Sequence, residues 1–183
     1  KIPYPDPSNL FPVLITNNHI LNIIDISYDS TITLSINDDE EFIDIKIGSR
    51  KVYTSVEFDT TIIEIDLMKD QIPIDFDDFL EIEENVNKGL TENLYSKHSI
   101  YCLHYPKGQN IEVSYGILSE VKENEIFHNC STENGSSGSP ILSLNTFKVI
   151  GIHCGPNTNF NQNKGTFIQF PINEFCVRRK KKT

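Results

Sequence analysis

Short segments that alternate apolar and polar residues constrain the fold of this chain more than any other feature. Alternation is visible in residues 31–36 and 42–47, and 26 isoleucines in 183 residues supply β-branched side chains that suit a pleated, half-buried surface. Further strands are predicted at 61–67, 99–105, 110–118, 125–130, 141–144, 148–154 and 166–170. Predicted helices are short, at 18–21, 77–84 and 173–177. This spacing predicts an all-β sandwich or barrel.

Composition and charge exclude several classes of protein. With 38% hydrophobic residues, 9 Gly and 9 Pro, the chain is too apolar and too low in glycine and proline to be disordered or fibrous. It has no apolar run of about 20 residues, so we expect no membrane-spanning helix.

The net charge is −10, and five of the 16 basic residues lie in the tail at 178–182. We therefore expect no nucleic-acid partner for the folded body and interpret the tail as a solvated terminus, with binding to an acidic surface or a localisation signal as the alternative.

The four cysteines favour free thiols. Cys102, Cys130, Cys154 and Cys176 form no CxxC pair or other zinc pattern, and each lies in or beside an apolar stretch. We predict no metal and no cofactor. Asn134 begins a glycosylation sequon three residues before Ser137, where a glycan would obstruct access to the serine. The sequon and the free thiols together favour a cytoplasmic setting, with secretion as the alternative.

Residues 134–140, Asn-Gly-Ser-Ser-Gly-Ser-Pro, form the most informative motif. Glycines beside a serine permit a tight turn whose backbone N–H groups converge, as an acyl-transfer oxyanion requires. A serine nucleophile also needs a histidine base and a carboxylate to orient it. His19 follows an apolar strand and Asp59 precedes another, which gives the chain order His, Asp, Ser. Three further carboxylates near Asp59 are weaker candidates, namely Glu57, Glu64 and Asp66. His98, His104 and His128 have no motif around them and are interpreted as structural or surface residues.

These segments resemble the trypsin/chymotrypsin-fold serine peptidases over residues 12–175. The shared pattern is Thr-x-x-His, an Asp before a hydrophobic strand, and Gly-x-Ser-Gly-[Gly/Ser]-Pro. The resemblance implies a serine endopeptidase acting on peptides or proteins, with His19 as general base, Asp59 as its orienting partner and Ser137 as nucleophile. The N–H groups of Gly135 and Ser137 would form the oxyanion hole.

The resemblance also implies two six-stranded antiparallel β-barrels. Residues 1–88 would form the first barrel and 98–177 the second, joined by a linker at 89–97 and followed by the basic tail at 178–183. Only 18 residues precede His19. We therefore expect the opening strand of the first barrel to be absent from this chain, with further domains or an activating segment possible before residue 1.

Residues around the motif predict what the peptidase cuts. Ser131 lies six positions before Ser137, where trypsin-type enzymes have a carboxylate, so a pocket for Arg or Lys is not expected. The Gly-Ile-His-x-Gly run at 151–155 is similar to glutamyl endopeptidases of the staphylococcal V8 type. That similarity implies an S1 pocket formed by Thr132, His153, Ser131 and Gly155 that prefers Glu at P1, with Gln or Asp as neighbours. The alternative for His153 is a packed strand residue.

Two other functions stay open at the level of the sequence. One is a catalytically weak or inactive peptidase-like module that recruits a protein partner, and the other is a hydrolase of non-peptide esters. Pro156 bears on the first alternative, since it lies where the family offers an N–H to the substrate backbone and proline has none.

Overall fold

The structure, a computed structural model, describes residues 1–3, 9–36, 41–83, 95–158 and 160–180, without the side chains of 36 and 178–180. The chain divides into two compact units, Lys1–Leu80 with the C-terminal residues from Phe175, and Glu81–Glu174. Most of the predicted linker at 89–97 and the side chains of the predicted tail at 178–183 lie outside the described residues. The predicted domain boundaries stay a prediction.

The first unit contains three small antiparallel sheets. Its strands are β1 (Ile2–Pro3), β2 (Leu10–Phe11), β3 (Val13–Thr16), β4 (Thr31–Ile36), β5 (Glu41–Lys46), β6 (Val52–Ser55) and β7 (Thr60–Glu64). They pair as β1-β2, β3-β7-β6 and β4-β5. Isoleucines join the two larger sheets in one core, since Ile32 of β4 and Ile63 of β7 belong to the same buried cluster. A short helix, α1 (Leu67–Asp70), follows β7.

The second unit contains a closed barrel of six antiparallel strands. These are β8 (His98–His104), β9 (Glu112–Lys122), β10 (Glu125–His128), β11 (Pro140–Ser143), β12 (Val149–Asn157) and β13 (Gln162–Phe167). Their order around the barrel is β10-β13-β12-β11-β8-β9. Ile100, Ile126, Ile141, Ile150 and Phe167 fill its interior and are fully buried. The strands approach so closely that a Cβ on Gly165 would lie 2.4 Å from the carbonyl oxygen of Ile152.

The structure confirms a mostly β chain with one closed six-stranded barrel. A second six-stranded barrel and a missing opening strand stay predictions. Within the described residues, no helix is both long and apolar enough to cross a membrane.

Strand positions agree with the alternation pattern, and strand ends differ where local capping overrides it. The strand predicted at 61–67 ends at Glu64, because Asp66 caps α1 by accepting a hydrogen bond from Lys69 N at 3.1 Å. The predicted helix at 173–177 is longer, α2 (Gln169–Lys180), and shortens the strand predicted at 166–170. Residues 18–20 form a turn rather than a helix. Of the helix predicted at 77–84, the described residues 77–83 contain only the end of a 3₁₀ turn at Phe76–Asp78, and residue 84 lies outside the described residues.

A buried ion pair stabilises the first unit and gives a test of its packing. The guanidinium of Arg50 binds both carboxylate oxygens of Asp70, with Nη1 2.8 Å from Oδ2 and a second contact between Nη2 and Oδ1. The two side chains are 4% and 3% exposed. Because removing one partner leaves the other charge buried and unpaired, we expect Asp70→Asn to lower the free energy of unfolding by about 3–5 kcal/mol.

Urea unfolding of the purified chain measures this loss. The double variant Arg50→Met/Asp70→Leu is expected to recover part of it, since apolar replacements leave no buried charge but remove the hydrogen bonds that Arg50 donates to the carbonyls of Lys46 and Glu64. Lys51, the exposed residue that follows Arg50, provides a matched control. Lys51→Met is expected to change the free energy of unfolding by less than about 0.5 kcal/mol. An Asp70→Asn variant as stable as the control would contradict the expectation.

Candidate active site

The register of the first unit brings His19 and Asp59 together. Strand β3 ends at Thr16 and β7 begins at Thr60, and these antiparallel strands pair Thr16 with Thr61. Residues just after β3 and just before β7 therefore lie at the same end of the sheet. The hydroxyl of Thr61 donates to the carbonyl of Leu21 at 2.5 Å, which holds the segment after His19 against β7.

The Asp59 carboxylate contacts His19 twice. Its Oδ2 lies 2.7 Å from His19 Nδ1, and its Oδ1 accepts a hydrogen bond from His19 N at 3.0 Å. An ionised carboxylate only accepts hydrogen bonds, so the ring donates from Nδ1 and a neutral ring keeps a basic lone pair on Nε2. The side chains are 45% and 30% exposed, which leaves the ring accessible.

The backbone of Asp59 is held in an unusual conformation. Its φ is +43°, a region that costs a non-glycine residue free energy and that is enriched at functional sites. The amide of the fully buried Asn17 donates to the Asp59 carbonyl at 3.1 Å and supports this conformation. The three weaker carboxylate candidates lie elsewhere: Glu57 is exposed, Glu64 accepts from Lys51 N at 3.0 Å, and Asp66 caps α1.

In the second unit, Ser137 lies in a tight turn attached to β12. Gly135 and Gly138 have φ values of +93° and +84°, which explains the two glycines of the motif. Gly138 N donates to the His153 carbonyl and His153 N donates to the Ser139 carbonyl, both at 2.9 Å. The Ser137 hydroxyl is half-buried and donates to the Cys154 carbonyl at 3.3 Å. The nucleophile candidate is thus fixed by the strand that carries His153.

The residue before Ser137 anchors the turn in the barrel. Ser136 is fully buried, and its Oγ lies 2.8 Å from His104 Nδ1 and accepts from Glu133 N at 3.2 Å. The sequence predicts only a structural or surface position for His104, and no local motif links it to residue 136. It is a structural residue that supports the serine turn.

The backbone N–H groups around Ser137 differ in whether they are already hydrogen-bonded. Those of Ser136, Gly138 and Ser139 donate within the turn or to β12. Gly135 N and Ser137 N have no hydrogen-bond partner among the residues that the structure describes. These are the two donors predicted for an oxyanion hole.

The predicted pocket residues differ in their exposure. Ser131 is exposed, Thr132 and Gly155 are half-buried, and a Cβ on Gly155 would meet no heavy atom within 4 Å. His153 is 2% exposed, and its Nδ1 lies 3.2 Å from Nε2 of the buried His128. No sequence motif predicts a partner for His128. The structure places it directly against the predicted specificity histidine.

Two buried thiols lie beside His128. Hydrogen bonding to Cys130, followed by burial, raises the pKa of Cys102. Hydrogen bonding from Cys102, helped by the neighbouring His128 and Ser114, lowers the pKa of Cys130. All four cysteines are free, as the sequence predicted.

The fold of the chain is similar to that of several solved serine proteases. A serine endoprotease from Yersinia pestis superposes with a TM-score of 0.64 at 15% identity, covering 91% of this chain and 54% of that one. A Glu endopeptidase in complex with MPD gives 0.63 at 18% identity, covering 94% and 83%. The HtrA-type protease AlgW with a decapeptide gives 0.64 at 14% identity, covering 93% and 50%. A search of curated proteins by sequence found no match.

The sequence profile of the trypsin-like peptidase domain matches residues 6–152. The chain belongs to this family. Membership confirms the prediction of a serine endopeptidase domain with peptides or proteins as its class of substrate. The peptidase domain spans about half the length of the Yersinia protein, so the activity, substrates and partners of the whole protein are proposals.

Gly135 provides a test of the geometry of the serine turn. A Cβ at this position would lie 2.8 Å from Gly108 N and 2.9 Å from the Tyr105 carbonyl oxygen, in addition to the cost of its positive φ. We expect Gly135→Ala to lower the free energy of unfolding by about 2–4 kcal/mol, from backbone strain and overpacking together.

Chemical denaturation measures this change against a matched glycine. Gly48 has a φ of +49° with no heavy atom within 4 Å of an added Cβ, so Gly48→Ala isolates the conformational cost. That control is expected to lose about 1–2 kcal/mol. Equal losses in the two variants would show that the turn does not pack as closely as described.

Proposed function

We propose that this domain cleaves peptide bonds through an acyl-enzyme formed on Ser137, with His19 as general base and Asp59 as its orienting partner. The observation that carries the proposal is the double contact between Asp59 and His19. It fixes both the tautomer and the orientation of the ring, so that Nε2 is the atom that takes up a proton.

The chemistry proceeds in two acyl-transfer steps. The Ser137 hydroxyl gives its proton to His19 Nε2 as Oγ attacks the substrate carbonyl, and a tetrahedral intermediate forms. His19 then donates that proton to the leaving amine, and the C–N bond breaks. Water attacks the resulting ester with His19 again as base, which releases the acid and restores Ser137.

The N–H groups of Gly135 and Ser137 are proposed to hold the negative oxygen of the intermediate. Neither group has a hydrogen-bond partner among the described residues, so neither has to give one up when the oxyanion forms. Donors already aligned where charge develops avoid reorganisation during the reaction.

We further infer that the S1 pocket prefers Glu, with Gln or Asp as weaker substrates. Ser131 supplies no carboxylate for a basic side chain, whereas Thr132 and His153 supply hydrogen-bond donors for an acidic one. The open space beside Gly155 supports the pocket, and the likeness to a Glu endopeptidase agrees with this choice. Since His153 is 2% exposed, the ring would form the floor of the pocket rather than its rim.

A fluorophosphonate probe tests the nucleophile. We expect the wild-type chain to form a covalent adduct and Ser137→Ala to lose it completely, because the probe reacts with an activated serine hydroxyl. Ser139→Ala, two residues along the same turn, is the matched control and is expected to keep the adduct. Mass spectrometry of the intact chain reads out both variants. A folded wild-type chain that stays unlabelled would instead favour the peptidase-like binding module.

A peptide series that differs only at P1 tests the specificity. We expect the highest kcat/KM after Glu, and a loss of about 10- to 100-fold for Glu substrates in Thr132→Val, because a hydrogen bond to a charged group is lost. The exposed Thr158→Val is the matched control.

Salt adds a second measurement of the same preference. The chain carries a net charge of −10 and repels an acidic peptide, so kcat/KM for the Glu substrate is expected to rise with ionic strength while that for Gln stays flat. A flat P1 profile, or preferred cleavage after Arg, would contradict the assignment of the pocket.

A further inference from the structure

A cluster of three metal-ligating side chains lies inside the barrel of the second unit. Cys102 lies on β8, His128 at the end of β10, and Cys130 two residues further on. All three are buried, with exposures of 0%, 0% and 1%. One ligand atom from each residue lies within 4.8 Å of the other two. None of the three is used by the proposed peptidase chemistry.

The barrel fixes these side chains from several directions. Strand β9 pairs with both β8 and β10, and the register shifts between Phe127 and His128, where β10 ends. Asn163 Nδ2 donates to the Cys130 carbonyl at 2.7 Å. Gly116 of β9 leaves space for the thiol, since a Cβ there would lie 2.8 Å from Cys130 Sγ. The thiols are therefore held on a rigid frame.

The ring of His128 supplies a second, independent observation. Its Nε2 is engaged by His153 Nδ1 at 3.2 Å, whereas its Nδ1 has no hydrogen-bond partner within the described part of the chain. A fully buried ring nitrogen without a partner loses its hydration and gains nothing in return. A nitrogen of this ring lies within 4.8 Å of the thiols of Cys102 and Cys130. Because Nε2 is engaged by His153, Nδ1 is the nitrogen that a metal ion bound between the thiols would satisfy.

We propose that Cys102 Sγ, Cys130 Sγ and His128 Nδ1 bind a thiophilic metal ion, Zn²⁺. Two thiolates and one imidazole form a donor set that zinc accepts, with a fourth position left for a further ligand. Zinc–ligand bonds of about 2.0–2.3 Å in tetrahedral geometry place ligand atoms about 3.5–3.8 Å apart, which adjustments of about 1 Å or less would achieve here. Both cysteines bind as thiolates, and their protons pass to the solvent.

The sequence predicts no metal site, because Cys102 is separated by more than 20 residues from His128 and Cys130 and the three form no local zinc pattern. Cys102 and Cys130 are not in a CxxC arrangement, and only the pairing of β8, β9 and β10 brings them to one place.

Metal binding would also fix the tautomers of the two histidines. With Nδ1 of His128 on the metal, its Nε2 carries the ring proton and donates to His153 Nδ1, which puts the proton of a neutral His153 on Nε2. This coupling rests on the proposed function of His153 in the pocket, whereas the metal site itself does not. We expect Zn²⁺ to change the ratio of kcat/KM between Glu and Gln substrates.

Titration with Co²⁺ tests the site directly. The 183-residue chain is reduced, freed of metal with a chelator and titrated with Co²⁺, whose thiolate complexes absorb strongly by charge transfer. We expect one Co²⁺ per chain with this absorption, displaced by Zn²⁺. Cys102→Ser, Cys130→Ser and His128→Gln are each expected to weaken binding by about 100-fold or more, since each removes a ligand. Cys176→Ser is the matched control and keeps full affinity.

Thermal unfolding supplies a readout that needs no variant. Zn²⁺ that binds the native chain raises its Tm. A folded chain with no charge-transfer absorption and no Tm shift would overturn the site. Co²⁺ binding that survives Cys102→Ser would also overturn it, as would a Cys102–Cys130 disulfide in the folded chain that excludes the metal ion. Metal binding without peptide hydrolysis would support the site and count against the proposed peptidase chemistry.

Discussion

The position of His153 on β12 is the constraint on which the second unit depends. Its backbone N–H and carbonyl each bond to the serine turn at 2.9 Å, and its ring contacts His128 at 3.2 Å. Strand β12 is held on both sides, by β11 and β13, inside a closed barrel without free edges. The serine turn and the predicted pocket histidine are therefore both attached to β12, and the proposed metal site contacts this strand through the ring of His128.

In the first unit, strand register positions the candidate catalytic residues. His19 and Asp59 lie on loops, and what fixes them is strand register, with Thr16 paired to Thr61. A slip of one residue would exchange the side chains on the two faces of β7. Both faces are buried, with the adjacent Ile62 and Ile63 fully covered on opposite sides, so a slip would disrupt the packing on both faces. Apolar packing thus helps to position a solvent-accessible histidine–carboxylate pair.

Local patterns predicted the strands and the motifs, and long-range contacts account for most of what they missed. Alternation located β4 and β5, and the two glycines of the serine motif have the positive φ that the turn requires. The contact of His104 with Ser136 joins residues 32 positions apart, and that of His128 with His153 joins residues 25 apart. No local pattern marks such pairs, because tertiary pairing of strands creates them. Strand β7 ends early for the opposite reason, a local Asp66 cap that outweighs an apolar run.

Pro156 shows how backbone and side-chain recognition are linked in this domain. It lies within β12, exposed and paired with Asn163 of β13, so it occupies a regular strand position but brings no N–H. An extended peptide laid along this part of the strand would find one fewer donor than a typical residue offers. Binding free energy that the backbone does not supply has to come from side chains, and the proposed S1 pocket would supply it. With the proposed S1 pocket in that role, cleavage would depend more strongly on the chemistry of P1, and the proposed specificity would be narrow rather than broad.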